Sequence, residues 1–202
     1  MKTKILILAV LALVAVVAVL GFLGLGLIVG LVTRRNEPTV VIAHRGASAA
    51  APENTLAAFR LAVEQGADFV ELDVQESADG EVLVVHDSDL MKVAGVASKI
   101  WETSAAELRS VDVGSFAGAQ FADERVPTLA EALSVCRGRS RVIVELKSYG
   151  HDQRLEERVA AIVEAAGMEG DCMFMSLDLE MVRRMKALRP SWRSGALVAT
   201  AL

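Results

Sequence analysis

The chain has little of several things. Two cysteines, Cys136 and Cys172, in 202 residues are too few for a disulfide scaffold or a zinc ribbon, and are most simply buried core residues. Basic residues are in deficit: 21 Lys and Arg stand against 26 Asp and Glu, a formal net charge of -5. That balance excludes a nucleic-acid partner held by phosphate neutralisation. The sharpest absence is local, because no charged residue occurs between Lys4 and Arg34. What fills the gap is 28 uncharged, mostly apolar positions, residues 5–32, which explains a mean hydropathy of +0.41. The remainder is acidic but not disordered in character, because Val, Leu, Ile and Ala recur in it with regular period.

As a helix rising about 1.5 Å per residue, the uncharged run reaches about 42 Å, and a bilayer core is about 30 Å thick. Residues 1–33 therefore read as a transmembrane anchor, with residues 5–32 in the lipid bilayer, giving a single-pass membrane protein. A cleaved signal peptide is the competing reading, since Met1-Lys2-Thr3-Lys4 resembles its basic start. Its apolar part is usually only about 7–15 residues, and no small-x-small cleavage site follows here. Gly26-x-x-x-Gly30 matches a helix-packing pattern, but glycine is common in membrane helices in any case. Lys2 and Lys4 on one side nearly balance Arg34 and Arg35 on the other, so charge does not set the orientation.

Residues 34–39 form a short linker, and residues 40–202 alternate strand-like and helix-like runs. Strands are expected near 40–43, 69–74, 82–85, 141–146, 172–175 and 195–198. Helices are expected over 54–65, where Leu56, Phe59 and Val63 share a face, and over 178–188. Another is marked by the stripe Leu155, Val159, Ile162, Val163 and Ala166, closed by Gly167. Ser104-x-x-Glu107 and Thr128-x-x-Glu131 read as capping boxes, and Asp152 as the cap of the helix that follows it. Such alternation implies a parallel sheet with helical crossovers.

Polar residues collect where these strands end. His44-Arg45-Gly46 follows the first, and His86-Asp87 the third. Glu71 and Asp73 lie two apart on the second strand, so they share a face, as do Glu145 and Lys147 on the fourth. Any one of these residues is ordinary as a structural group. Together they sit as the functional groups of a (β/α)8 barrel do, at the C-terminal strand ends. Carboxylates inside a barrel need a cation or paired donors to offset lost hydration. His151 falls in the loop after the Glu145 strand and is a candidate substrate contact. Trp101 and Phe116, in the long segment 88–126, are read as packing residues.

The order of motifs resembles the glycerophosphodiester phosphodiesterase family over residues 40–200. His44-Arg45-Gly46-Ala47-Ser48 and Pro52-Glu53-Asn54-Thr55 open the match. Glu71-x-Asp73, Asp79-Gly80, His86-Asp87, Pro127-Thr128-Leu129 and Glu145-Leu146-Lys147 follow in family order. Met91-Lys92-Val93-Ala94-Gly95 departs from the family's usual Arg-Thr, and is similar to a branch whose catalytic domain follows membrane helices. Met175-Ser176-Leu177 replaces a more usual Ser-Phe.

The resemblance implies a TIM-barrel α/β fold and a metal-dependent hydrolase acting on small-molecule glycerophosphodiesters. It implies Glu71, Asp73 and Glu145 as ligands of Mg2+ or Ca2+. His44 and His86 become the general acid/base pair, and Arg45 and Lys147 phosphate binders. Products would be glycerol 3-phosphate and an alcohol. Two alternatives stand beside this: phospholipase D-type action on lysolipids, or a non-catalytic tethered module. The second arises because a barrel needs about 250 residues, whereas 169 remain after residue 33 and supply about six strands. An incomplete barrel is therefore expected, either a fragment or a sheet completed by a partner.

Overall fold

In the computed structural model, residues 13–22, 24 and 39–198 are described, and the chain divides into two compact units between Thr39 and Val40. Residues 13–22 and 24 of the first unit are helical. Most of the 5–32 span, including Gly26 and Gly30, lies outside the described residues, as does most of the 34–39 linker. No helix among the described residues is long and apolar enough to cross a membrane.

The second unit is built on a six-stranded sheet. Strands β1 (Ile42–Ala43), β2 (Phe69–Glu76), β6 (Arg141–Leu146), β7 (Cys172–Ser176) and β8 (Arg193–Ala196) are parallel neighbours in that order. Among the described residues, β1 and β8 end this run of parallel strands. Helices α1 (Leu56–Glu64), α4 (Leu129–Cys136), α5 (Leu155–Ala166) and α6 (Leu179–Leu188) cross between them. The starts and stops follow the local chemistry. Thr55 caps α1 through the Ala58 N–H, Thr128 and Glu131 form a reciprocal capping box on α4, and Gly167 ends α5 at φ 63°.

Period two divides each strand. Val70, Leu72, Val74, Val142, Val144 and Phe174 are fully buried against the helices. Phe59, Leu133, Val163 and Met185 answer them from the helical layer. Phe174 stacks on Trp192 at 5.0 Å between ring centroids. Cys136 and Cys172 are free and buried in this core, and burial pushes both thiols up to about 12. The opposite face of β2 carries Glu71, Asp73 and Gln75.

One strand departs from the expected pattern. β3 (Val82–Val84) pairs antiparallel with β2, Val74 opposite Val84, so it is a hairpin return and not a further barrel strand. His86 does not end a parallel strand. It is carried back toward the site, and the Val85 N–H donates to the Asp73 carbonyl at 2.9 Å. Only residues 77–81 join β2 to β3, and a parallel crossover takes a dozen or more residues.

The segment after β3 shares with Leu83 of that strand a small core of its own, with Leu90, Ile100, Leu108, Val113 and Val126. It contains a second hairpin, β4 (Asp89–Leu90) with β5 (Val96–Lys99), and two single-turn helices, α2 (Met91–Ala94) and α3 (Ala105–Leu108). Ser104 caps α3 by accepting from the Glu107 N–H. Phe116, expected to pack, is exposed. Asp152 does not cap α5; the buried Glu76 carboxylate accepts from the Gln153 and Arg154 N–H groups instead. Asp152 faces Arg184.

Candidate active site

The backbone just after β1 is bent into an unusual shape. Arg45 at φ 57° and Asn54 at φ 56° adopt the left-handed region although neither is glycine. Such strain persists where surrounding bonds over-determine it. Here the Asn54 N–H donates to the Arg45 carbonyl, and the Arg45 N–H donates to Glu71 Oε2 at 2.8 Å. Gly46, at φ 79°, must be glycine because an added Cβ would lie 2.8 Å from the Ala58 backbone.

This turn closes over the carboxylates of β2 and β6. Asp73 and Glu145 are register partners on adjacent parallel strands, and Glu71 lies two residues before Asp73 on the same face. One carboxylate oxygen from each of Glu71, Asp73 and Glu145 lies within 4.8 Å of the others, and all three residues are buried. Each has one committed oxygen. Glu71 Oε2 takes the Arg45 N–H, Asp73 Oδ2 takes Asn54 Nδ2 at 2.8 Å, and Glu145 Oε1 takes Lys147 Nζ at 2.8 Å. Glu71 Oε1 and Asp73 Oδ1 are buried with no hydrogen-bond partner.

The charges are unbalanced. Burial, and then the nearby Asp73 charge, push the Glu71 carboxyl up to about 7. Burial works against the Lys147 charge, but Glu145 and Asp73 outweigh it and hold its pKa above the ordinary lysine value. Lys147 Nζ also stands 3.7 Å from Asp73 Oδ1. Arg45 Nε lies 3.4 Å from Asp73 Oδ2 without the alignment of a hydrogen bond, while its Nη1 donates to Glu53 at 3.0 Å. Hard oxygens converging on one point, two of them buried and unmatched, fit a small divalent cation better than they fit one another.

The two histidines differ in exposure and partners. His44 is 68% exposed, with Nε2 3.9 Å from Glu71 Oε2. His86 is half-buried, and its Nδ1 lies 2.7 Å from Asp87 Oδ1. Its backbone is held from two directions. Gln75 Nε2 reaches the carbonyls of Val85, His86 and Asp87, and the Tyr149 hydroxyl donates to the His86 carbonyl at 2.9 Å. His151 stacks on Trp101 at 4.2 Å beside Tyr149, forming a wall next to Lys147.

Of the residues singled out from sequence, Arg45, Glu71, Asp73, Glu145 and Lys147 are joined by contacts in this cluster, His44 reaches Glu71, and His86 is tied to its surroundings through its backbone carbonyl, with His151 at the margin beside Lys147. Sequence reasoning gave no role to Glu53, Asn54, Gln75, Lys92 or Tyr149. Gln75 was within reach: the spacing of two that pairs Glu71 with Asp73 continues to it.

Comparison with known proteins places the chain in a family. The glycerophosphoryl diester phosphodiesterase family model matches residues 44–201. A putative glycerophosphodiester phosphodiesterase of Bacillus subtilis (strain 168) is 36% identical over 151 residues, 75% of this chain and 62% of that protein. A glycerophosphodiester phosphodiesterase of Caldanaerobacter subterraneus is 34% identical over 164 residues, 79% of this chain and 66% of that protein. The chain thus spans 62–66% of the length of these two relatives. Among solved structures, an Oleispira antarctica phosphodiesterase in complex with the product sn-glycerol-3-phosphate matches with TM-score 0.75 and 34% identity, over 80% of this chain and 66% of that one. The Agrobacterium tumefaciens glycerophosphodiester phosphodiesterase matches with TM-score 0.70 and 37% identity, over 78% and 66%.

Proposed function

The chain belongs to the glycerophosphoryl diester phosphodiesterase family, and on that premise we propose that it hydrolyses glycerophosphodiesters to glycerol 3-phosphate and an alcohol in a divalent-metal-dependent reaction. The observation that carries this reading is the trio Glu71, Asp73 and Glu145, with two buried oxygens lacking partners.

Phosphodiesters are anionic and repel nucleophiles, so the site must neutralise the phosphate and protonate the leaving oxygen. Mg2+ or Ca2+ held by Glu71, Asp73 and Glu145 would supply Lewis-acid charge against the non-bridging oxygens. Arg45 and Lys147 add fixed positive charge and orient the phosphate. Asp87 faces His86 Nδ1, which leaves Nε2 as the atom that exchanges a proton. His44 and His86 form the acid/base pair, one giving a proton to the leaving alkoxide and the other taking one from the nucleophile, either water or the substrate's own glycerol hydroxyl with water then opening the cyclic phosphate. In this reading His151, stacked on Trp101 beside Lys147, is the candidate contact for the departing alcohol.

In this proposal residues 5–32 tether the enzyme to a bilayer as a single-pass anchor, on the strength of their 28 uncharged positions. Resistance of the full chain to alkaline extraction from membranes tests it; release into the supernatant removes the anchor. The activity itself is tested with the full chain in detergent and glycerophosphocholine as substrate. Release of glycerol 3-phosphate that needs Mg2+ or Ca2+ and stops with chelator is expected. A folded chain with no release refutes the reading.

A further inference from the structure

Glu53 has a position that the proposed reaction does not use. Its two carboxylate oxygens are divided between two cations: Oε1 accepts from Arg45 Nη1 at 3.0 Å, and Oε2 accepts from Lys92 Nζ at 2.6 Å. Arg45 borders the carboxylate trio, whereas Lys92 lies on α2 of the inserted segment, 39 residues along from Glu53. The Arg45 backbone is fixed by its bonds to Glu71 and Asn54, so only its side chain is free to move. Arg45 and Glu53 are largely shielded, with side chains 16% and 19% exposed, so their charges interact through less water than a surface pair does. Lys92 is 51% exposed, and as an isolated ion pair it would add little stability.

We propose that Lys92 is a positioning residue which, through Glu53, sets how much of the Arg45 charge is available to the substrate phosphate. The inference rests on the phosphodiesterase reading above. With Lys92 in place, one Glu53 oxygen is occupied and Arg45 is held by a single hydrogen bond. Without it, that oxygen is released, and the carboxylate can take the Arg45 guanidinium as a two-bond fork, the stronger arrangement. Arg45 is then drawn away from Asp73 and from the phosphate. The segment Met91-Lys92-Val93-Ala94-Gly95 thereby reaches the site without touching the substrate.

The test is calorimetric binding of sn-glycerol 3-phosphate to the full chain with saturating Mg2+ or Ca2+, alongside kcat and KM for glycerophosphocholine. Lys92→Ala is expected to weaken binding about five- to tenfold and raise KM by a similar factor, with kcat changed less than about twofold. Lys92→Arg restores both. The deciding variant is the double one: with Glu53→Gln already present, Lys92→Ala changes binding less than about twofold, because no carboxylate remains to be released. Loss of the same size in both backgrounds overturns the proposal, since it would mean direct attraction of the anion by Lys92. Unchanged binding by Lys92→Ala overturns it as well. An unaltered chain that neither binds the probe nor turns over substrate overturns the functional reading and this inference together.

Discussion

Two buried glutamates on one strand meet opposite fates. Glu71 and Glu76 both belong to β2, five residues apart and therefore on opposite faces. Glu76 points among the helices and is fully matched. It accepts from the Gln153 and Arg154 N–H groups at the start of α5 and pairs with Arg158 at 2.9 Å. Glu71 faces away from the helices, keeps one buried oxygen without a partner, and is held with its pKa near 7 beside Asp73. Burial alone does not distinguish a structural carboxylate from a functional one. The distinction lies in whether the fold itself supplies donors for every lone pair, or leaves some for a ligand.

The largest expected effect breaks the unmatched side. Asp73→Asn keeps the shape and the Asn54 contact region but removes one of the three charges that would face the proposed cation. Turnover of glycerophosphocholine is expected to fall by on the order of 10^3-fold, with circular dichroism unchanged. Retention of most activity would remove Asp73 from the site.

Next comes the pH dependence of the chelated protein. The native pKa of Glu71 is raised to about 7 from 4.5, so the native state binds this proton more tightly than the unfolded chain. Its ionisation is then a cost borne only by the folded form. On this account the stability contributed by Glu71 in the metal-free protein is fully present below about pH 4.5, and up to about 3 kcal/mol of it is lost as pH rises through about 7. Denaturant midpoints in chelator at about pH 5 and about pH 8 measure the loss. Glu71→Gln should flatten it, and added Mg2+ or Ca2+ should offset it by binding the native state alone. A slope that survives in Glu71→Gln would assign the effect elsewhere.

The sequence made one of these faces readable and not the other. Spacing of two placed Glu71 with Asp73 and Glu145 with Lys147, and motif order tied them to phosphodiester chemistry. Local patterns carry strand identity but not strand direction, so 82–85 read as one more parallel strand. The chain length between strands held the missing signal, because residues 77–81 are too few for a crossover and include the turn pair Asp79-Gly80. Glu76 was silent for a different reason. Its partners lie 77 or more residues away in sequence, and the near candidate for the α5 cap, Asp152, is drawn instead toward Arg184. Lys92 and Glu53 are likewise joined only by the fold.

Breaking the matched side should have the converse result. Glu76→Ala removes the acceptor for two helix-start N–H groups and the partner of Arg158, and is expected to cost about 2 kcal/mol. Thermal or denaturant unfolding measures the cost, while kcat per folded molecule stays near that of the unaltered chain. A loss of kcat that exceeds the loss of folded protein would mean that the two faces of β2 are coupled.

The smallest effect asks which of Glu76's partners matters. Arg158 reaches Glu76 across Gly80, where an added Cβ would lie 2.0 Å from the guanidinium, so the turn leaves room for that side chain. Yet Arg158 is 31% exposed, and water competes for its charge. The backbone N–H groups of Gln153 and Arg154 have no such alternative within the fold. Arg158→Met, which keeps the aliphatic stem, should therefore cost less than about 1 kcal/mol. A cost equal to that of Glu76→Ala would show that the carboxylate is retained for its ion pair and not for the helix start. In that case Glu76 would depend on a charged partner much as Glu71 does, and the contrast between the two faces would rest on the source of the cation alone.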